Sequence, residues 1–355
     1  MDYTIDDDFN YTDYKFETPR EEKAGLSPVI WAALVLYALV FLLGVLGNGA
    51  VIWVMAFQMR RTVNTVWFLN LAMADLLCCL ALPFLGVTLV TYPHWPLGNA
   101  ACKLLSSLII LNMFASVMVL MLISMDRCAL VVKPVWCQNH RSLGLAWALC
   151  AVAWGAALLL MVPTFLTRQT KSWSSNQITC SVDYAILGGA YHNIAAVSVT
   201  VMRFLFGFLI PFVVISLSYG LLLSRVHRSR FMHSQKPLKV TLVVVLGFFI
   251  CWIPYHVNGL ILACESPLSS LYMSALQAEP LIVGLAYINS CINPIIYVIA
   301  GQDFQAKMQR SLKILLSSIL NEESPLTGSL AEGQSQAPYT TTVDCSTSTN
   351  TVTTL

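Results

Sequence analysis

Three ionisable side chains, Asp75, Arg203 and Glu279, lie in stretches that are otherwise apolar. Placing such a group inside a bilayer costs on the order of several kcal/mol, so each implies a function. Arg203 and Glu279 fall near the ends of their stretches, and one pocket holding both signs suits a ligand carrying both, such as a peptide terminus. Alternatively Glu279 is merely interfacial and Arg203 snorkels to water. Asp75, Ser116, Asn289 and Asn293 offer several oxygens that, where their helices converge, are the ligands a hard cation such as sodium prefers. The other reading of these four is an interhelical hydrogen-bond network with no ion. Asn48 and Asn112 add neutral polar groups. No nucleophile, base and orienter stand at workable spacing, so no catalytic residue is expected. The eleven cysteines form no CxxC pair, so neither structural zinc nor a redox motif is indicated.

These side chains require elements that can hold them in lipid. Of 355 residues, 57% are hydrophobic and 11% charged, with a mean hydropathy of +0.69, too little polar surface to cover a soluble globule of this size. A net charge of +2 gives no footprint for nucleic acid. Spanning about 30 Å takes roughly 20 apolar residues. Such stretches run Val29–Phe57, Val63–Val90, Asn99–Val132, Leu143–Leu166, Ala195–Leu223, Leu238–Ala263 and Leu276–Ala300. Basic residues fall on alternate connections: Arg60 and Arg61; Lys133 and Arg141; Arg225, Arg228, Arg230 and Lys236; Lys307, Arg310 and Lys313. The positive-inside rule makes these cytoplasmic and the N-terminus extracellular. The expected architecture is an all-α membrane protein, a seven-transmembrane helix bundle, multi-pass in the plasma membrane.

The ends read differently. Residues 1–28 form an acidic tail that lacks a cleavable signal, so the first span is expected to direct export. Tyr11 and Tyr14, like Tyr3, stand beside aspartates, a context for sulfation, and Asn10 opens a glycosylation sequon. Such a strip would steer a basic protein ligand, unless it is simply a solvated tail. Residues 302–316 pattern as a short amphipathic cytoplasmic helix lying on membrane lipid, and 317–355 as a Ser/Thr-rich tail. Cys102 heads the third span and Cys180 lies in the longest extracellular loop, an oxidising setting that favours a disulfide between them over two free thiols.

The chain from roughly Val29 to Leu316 resembles the rhodopsin-like G-protein-coupled receptors. The resemblance rests on GNGAV with Asn48, LAMAD with Asp75, Asp126-Arg127-Cys128, Trp154, Pro211 and Tyr219, Cys251-Trp252-Ile253-Pro254, and Asn293-Pro294-Ile295-Ile296-Tyr297, all in order. Within that family WFLNLAMADLLCCLALPF, KPVWCQNHR and AYINSCINPIIYVIAGQDFQ are similar to the chemoattractant branch, nearest its complement anaphylatoxin members. The short second extracellular loop favours the component 5a type over the component 3a type. Formyl-peptide receptors share Asp-Arg-Cys and QNHR and are the alternative. A non-signalling scavenger is the other, favoured by AEPLIVGLA and opposed by Arg127.

The resemblance implies a receptor that signals chemotaxis and inflammation through an inhibitory-type G protein. The sulfated tail would capture an anaphylatoxin, whose terminal arginine would offer its carboxylate to Arg203 and its guanidinium to Glu279. Glu279 is a longer acid than the aspartate of component 5a receptors. Tyr255, His256, Trp95 and Asn112 are lesser pocket residues. Trp252 above Pro254 is the expected pivot. Outward movement of the sixth helix would free Arg127 from Asp126 and let it build the cytoplasmic cavity with Tyr219 and Tyr297. No acid stands near Ser234 to lock the third helix to the sixth. Receptor kinases and arrestin would act on the C-terminal tail. No cofactor is implied beyond an allosteric sodium ion.

Overall fold

A computed structural model describes residues 26–174, 177–187, 192–228, 236–300 and 309. The described residues belong to one compact unit. Among the described residues, seven helical spans are long and apolar enough to cross a bilayer: Pro28–Gln58, Val63–Thr91, Gly98–Val132, Leu143–Thr167, Ile194–Arg225, Thr241–Cys264 and Ser270–Ile295. Leu46, Phe57 and Leu159 are each more than 70% exposed on the outer faces, where lipid rather than water meets them. Helices satisfy this setting because each pairs its own backbone polar groups.

Local chemistry sets the helix ends. Ser27 caps the first span by accepting from the Ile30 amide, with Pro28 at the first helical position. Thr62 and Thr65 form a reciprocal capping box at the second, with Thr65 N donating to Thr62 Oγ1 at 3.2 Å and Thr62 N to Thr65 Oγ1 at 2.7 Å. Ser142 accepts from the Leu145 amide at the fourth. Prolines interrupt the regular ladder. The second span breaks at Leu80 and Ala81 before Pro83, and a π-helical turn, Leu205–Leu209, precedes Pro211 in the fifth. Pro163, Pro254, Pro280 and Pro294 lie inside the fourth, sixth and seventh. The seventh helix starts at Ser270, six residues before the sequence boundary, where Ser269 caps it by accepting from the Tyr272 amide at 3.1 Å.

The first and seventh spans pack closely. A Cβ on Gly47 would stand 2.8 Å from Pro294 Cβ, so only glycine lets the backbones approach there. Aromatic rings fill the gap between the fifth and sixth spans: Phe208 and Phe212 each meet Phe249 edge-on at 5.1 Å. Outside the bundle a two-stranded antiparallel hairpin joins the fourth and fifth spans, β1 (Arg168–Ser174) with β2 (Gln177–Val182), Thr170 opposite Cys180. This hairpin is an addition to the all-helical expectation.

Candidate functional site

The Cys102–Cys180 disulfide, with Cα atoms 5.7 Å apart, pins β2 to the head of the third span. Asn99 Oδ1 accepts from the Thr170 amide, and the Trp95 amide donates to Ile178 O at 2.7 Å. The hairpin therefore lies over the mouth of a cavity of about 970 Å³ between the spans. Arg203, Glu279, Tyr255 and Trp95 all line it, as the sequence led us to expect. Trp95 also serves the loop, its indole donating to Gly98 O at 2.8 Å.

Arg203, on the fifth span, donates from Nη1 to the Tyr255 hydroxyl and from Nη2 to Thr164 Oγ1, both at 3.1 Å. Both acceptors are neutral, so the guanidinium is fixed in direction while its charge stays uncompensated. Glu279 lies nine residues, about 14 Å, from the start of its helix and lines the cavity. No hydrogen bond or ion pair engages its carboxylate among the described residues; the ion pairs found there are Arg141–Asp126 and Lys171–Asp183. Thr164, Arg168 and Tyr184 are also part of the cavity's polar lining. Sequence reading missed all three, since a threonine in an apolar span and two loop residues carry no pattern of their own. Burial pushes the Tyr184 phenol up, and the nearby Arg203 and Arg168 guanidiniums offset this only in part, so it stays neutral.

Two expected pocket residues lie elsewhere. Asn112 stands 14 residues below the start of its helix, about 21 Å down, and is not part of the cavity wall. His256 is buried behind Tyr255, packed on Phe204 and Phe208 at 5.8 and 5.3 Å. Trp252 is buried between Phe248 and Tyr255, in the helix kinked by Pro254.

Asp75 is fully buried at mid-bundle, accepting from Ser290 Oγ at 3.0 Å and Asn293 Nδ2 at 2.7 Å. The Asn112 amide reaches both Asp75 Oδ1, 3.3 Å away, and Ser116 Oγ, 3.1 Å away, when its nitrogen faces them. Asn48 ties the first span in by donating to Gly44 O and Ser290 O. The expected oxygen cluster thus forms from Asp75, Ser116 and Asn293, with one correction: Ser290, not Asn289, bonds to Asp75. Adjacent helical residues point about 100° apart, and the azimuth of this helix favours Ser290. Asn289 is buried but gives no hydrogen bond to Asp75.

At the cytoplasmic end the expected Asp126–Arg127 pairing is overturned. Arg141 takes both carboxylate oxygens of Asp126, Nε to Oδ1 at 2.7 Å and Nη2 to Oδ2 at 3.1 Å. Arg127 instead donates to Asn64 Oδ1 at 2.8 Å, an acceptor shared with Arg141 Nη2 at 2.8 Å. A flat guanidinium entering from the end of the short helix Pro134–His140 matches the carboxylate fork, whereas Arg127 leaves the same helix as Asp126 in another direction. Tyr219 is buried on the fifth span. Pro294 and the backbone of Tyr297 belong to the seventh helix, but the Tyr297 side chain lies outside the described residues, as do Asn10, Tyr11, Tyr14, Ser234 and, apart from residue 309, the amphipathic stretch 302–316.

Residues 47–297 match the family model for the 7 transmembrane receptor (rhodopsin family). The C5a anaphylatoxin chemotactic receptor 1 of Oryctolagus cuniculus is 49% identical over 305 residues, 86% of each chain. Its Homo sapiens counterpart is 48% identical over 293 residues, 82% of each chain. The C3a anaphylatoxin chemotactic receptor of Oncorhynchus mykiss is 44% identical over 329 residues, 92% of this chain and 89% of that one. With seven spans, an outer cavity and a cytoplasmic arginine held at the bundle's end, the chain belongs to the rhodopsin family of seven-transmembrane receptors.

Proposed function

We propose that this chain is a signalling receptor for an anaphylatoxin peptide of the C5a type, coupled to an inhibitory-type G protein. The observation that carries the reading is the pairing, in one cavity, of an oriented but uncompensated Arg203 with an unengaged Glu279. A C-terminal arginine supplies the complement to both, its carboxylate to Arg203 and its guanidinium to Glu279. The similarity to C5a receptors selects that peptide class over formyl peptides. Arg127, present and donating to a neutral amide oxygen, supports signalling over scavenging. Sulfation of Tyr11 and Tyr14 and phosphorylation of the C-terminal tail for arrestin belong to the same proposal.

Asp75 meets neutral donors alone among the described residues, and Asn293 Oδ1 beside it is buried without a partner. A buried carboxylate and an orphaned carbonyl oxygen fit a monovalent cation, and we propose that Asp75, Asn293 and Ser116 hold sodium. The ion would supply the positive charge that the buried carboxylate lacks.

The pocket reading is tested by binding C5a to membranes bearing the full chain. Glu279→Gln should weaken it about thirtyfold, some 2 kcal/mol for an unpaired ligand cation. An unchanged affinity would sink the assignment.

A further inference from the structure

We infer that Thr164 is a positioning residue for anion recognition: its hydroxyl, together with the Tyr255 phenol, holds the Arg203 guanidinium in the attitude in which it meets a ligand carboxylate. The inference rests on the reading of Arg203 as the carboxylate's partner. Thr164 is 7% exposed and lies on the fourth span directly after Pro163; Tyr255 lies on the sixth and Arg203 on the fifth. Three helices thus meet at one guanidinium.

Three features single out Thr164. A threonine in a helix ordinarily turns its hydroxyl back on its own backbone. Thr167, one turn on, does this, donating to Pro163 O at 2.8 Å. The Thr164 oxygen faces Arg203 instead. The second feature is neutrality. At the other end of the bundle Arg141 is held by a carboxylate, which consumes its charge as well as its donors. Thr164 and Tyr255 take one hydrogen bond from each terminal nitrogen and leave the charge intact, with the guanidinium's other donors free for a planar anion. The third is order. An arginine side chain carries about 2 kcal/mol of rotamer entropy, and fixing it in advance removes part of that cost from binding.

The test compares two short synthetic peptides with the C-terminal sequence of C5a, one ending in a free carboxylate and one in an amide, on the full chain in membranes. The intact receptor prefers the acid. Arg203→Ala should abolish the preference. Thr164→Val, which keeps volume but removes the acceptor, should shrink the acid-to-amide ratio about tenfold, the scale of one hydrogen bond to a charged group. Thr164→Ala should do the same, and Thr164→Ser, which restores the hydroxyl, should recover the ratio. Circular dichroism and thermal melting of each purified variant report folding, and the ratio is read within each variant. If Arg203→Ala loses the preference and both Thr164→Val and Thr164→Ala keep it, the role of Thr164 is refuted while the pocket reading stands. If Arg203→Ala keeps the preference, the pocket reading fails and takes the inference with it.

Discussion

Asn64 supplies the hydrogen-bond acceptor that meets Arg127. A guanidinium hydrogen-bonded to an amide oxygen is held less firmly than one in an ion pair, and Asn64 Oδ1 divides its capacity between Arg127 and Arg141. Asn64→Asp converts that acceptor into a carboxylate. We expect it to lower ligand-independent G-protein dissociation and to shift the C5a response about tenfold to higher concentration, roughly 1.4 kcal/mol. Higher basal dissociation in that variant would contradict the assignment. Asp126 and Arg127 were legible in the sequence as a motif, but Asn64 and Arg141 were not. Each is an ordinary polar residue near a span end, and only contact across 63 and 15 positions of chain gives it a role.

The hairpin is the element that completes the outer site. Arg168 opens β1, and Tyr184 follows β2 by one residue beyond Asp183. The Cys102–Cys180 bond closes a sequence separation of 78 residues. A disulfide typically contributes about 2–4 kcal/mol, mainly by constraining the unfolded chain, and this one also pins β2 to the head of the third span. Cys102→Ala with Cys180→Ala should therefore weaken C5a binding more than tenfold while the seven helices persist, as read by circular dichroism of the purified receptor. Retained affinity would mean that hydrogen bonds, among them Thr170–Asn99, Trp95–Ile178 and Ile178–His94, hold the hairpin without the disulfide. The disulfide was legible from two cysteines in an oxidising compartment. The hairpin was not, because RQTKSWS has no alternating apolar face and is paired only by its register with β2.

Across the whole molecule, the cavity, the Asp75 cluster and the Arg127 contact lie at successive depths of one bundle. A ligand shifts such a bundle only by binding its states differently. Sodium bound at Asp75 would favour the state in which these oxygens converge. Raising sodium from zero to about 150 mM should then raise the melting temperature by a few degrees and lower agonist affinity, and Asp75→Asn should remove both effects. Sodium-independent melting of the intact chain would exclude the ion. By itself the sequence determined the seven spans, their orientation, the disulfide, the family and most of the pocket's charged residues. These follow from what lipid demands of a backbone, from where basic residues accumulate and from residue types too costly to bury without use. Tertiary structure alone decided that Ser290 serves Asp75 in place of Asn289, that Asn112 lies below the cavity, that Arg141 takes Asp126 and that Thr164 steadies Arg203. The reason is rotational. A helix that is apolar on nearly every side has a legible length but no legible azimuth, and long side chains choose partners only once neighbouring helices fix it.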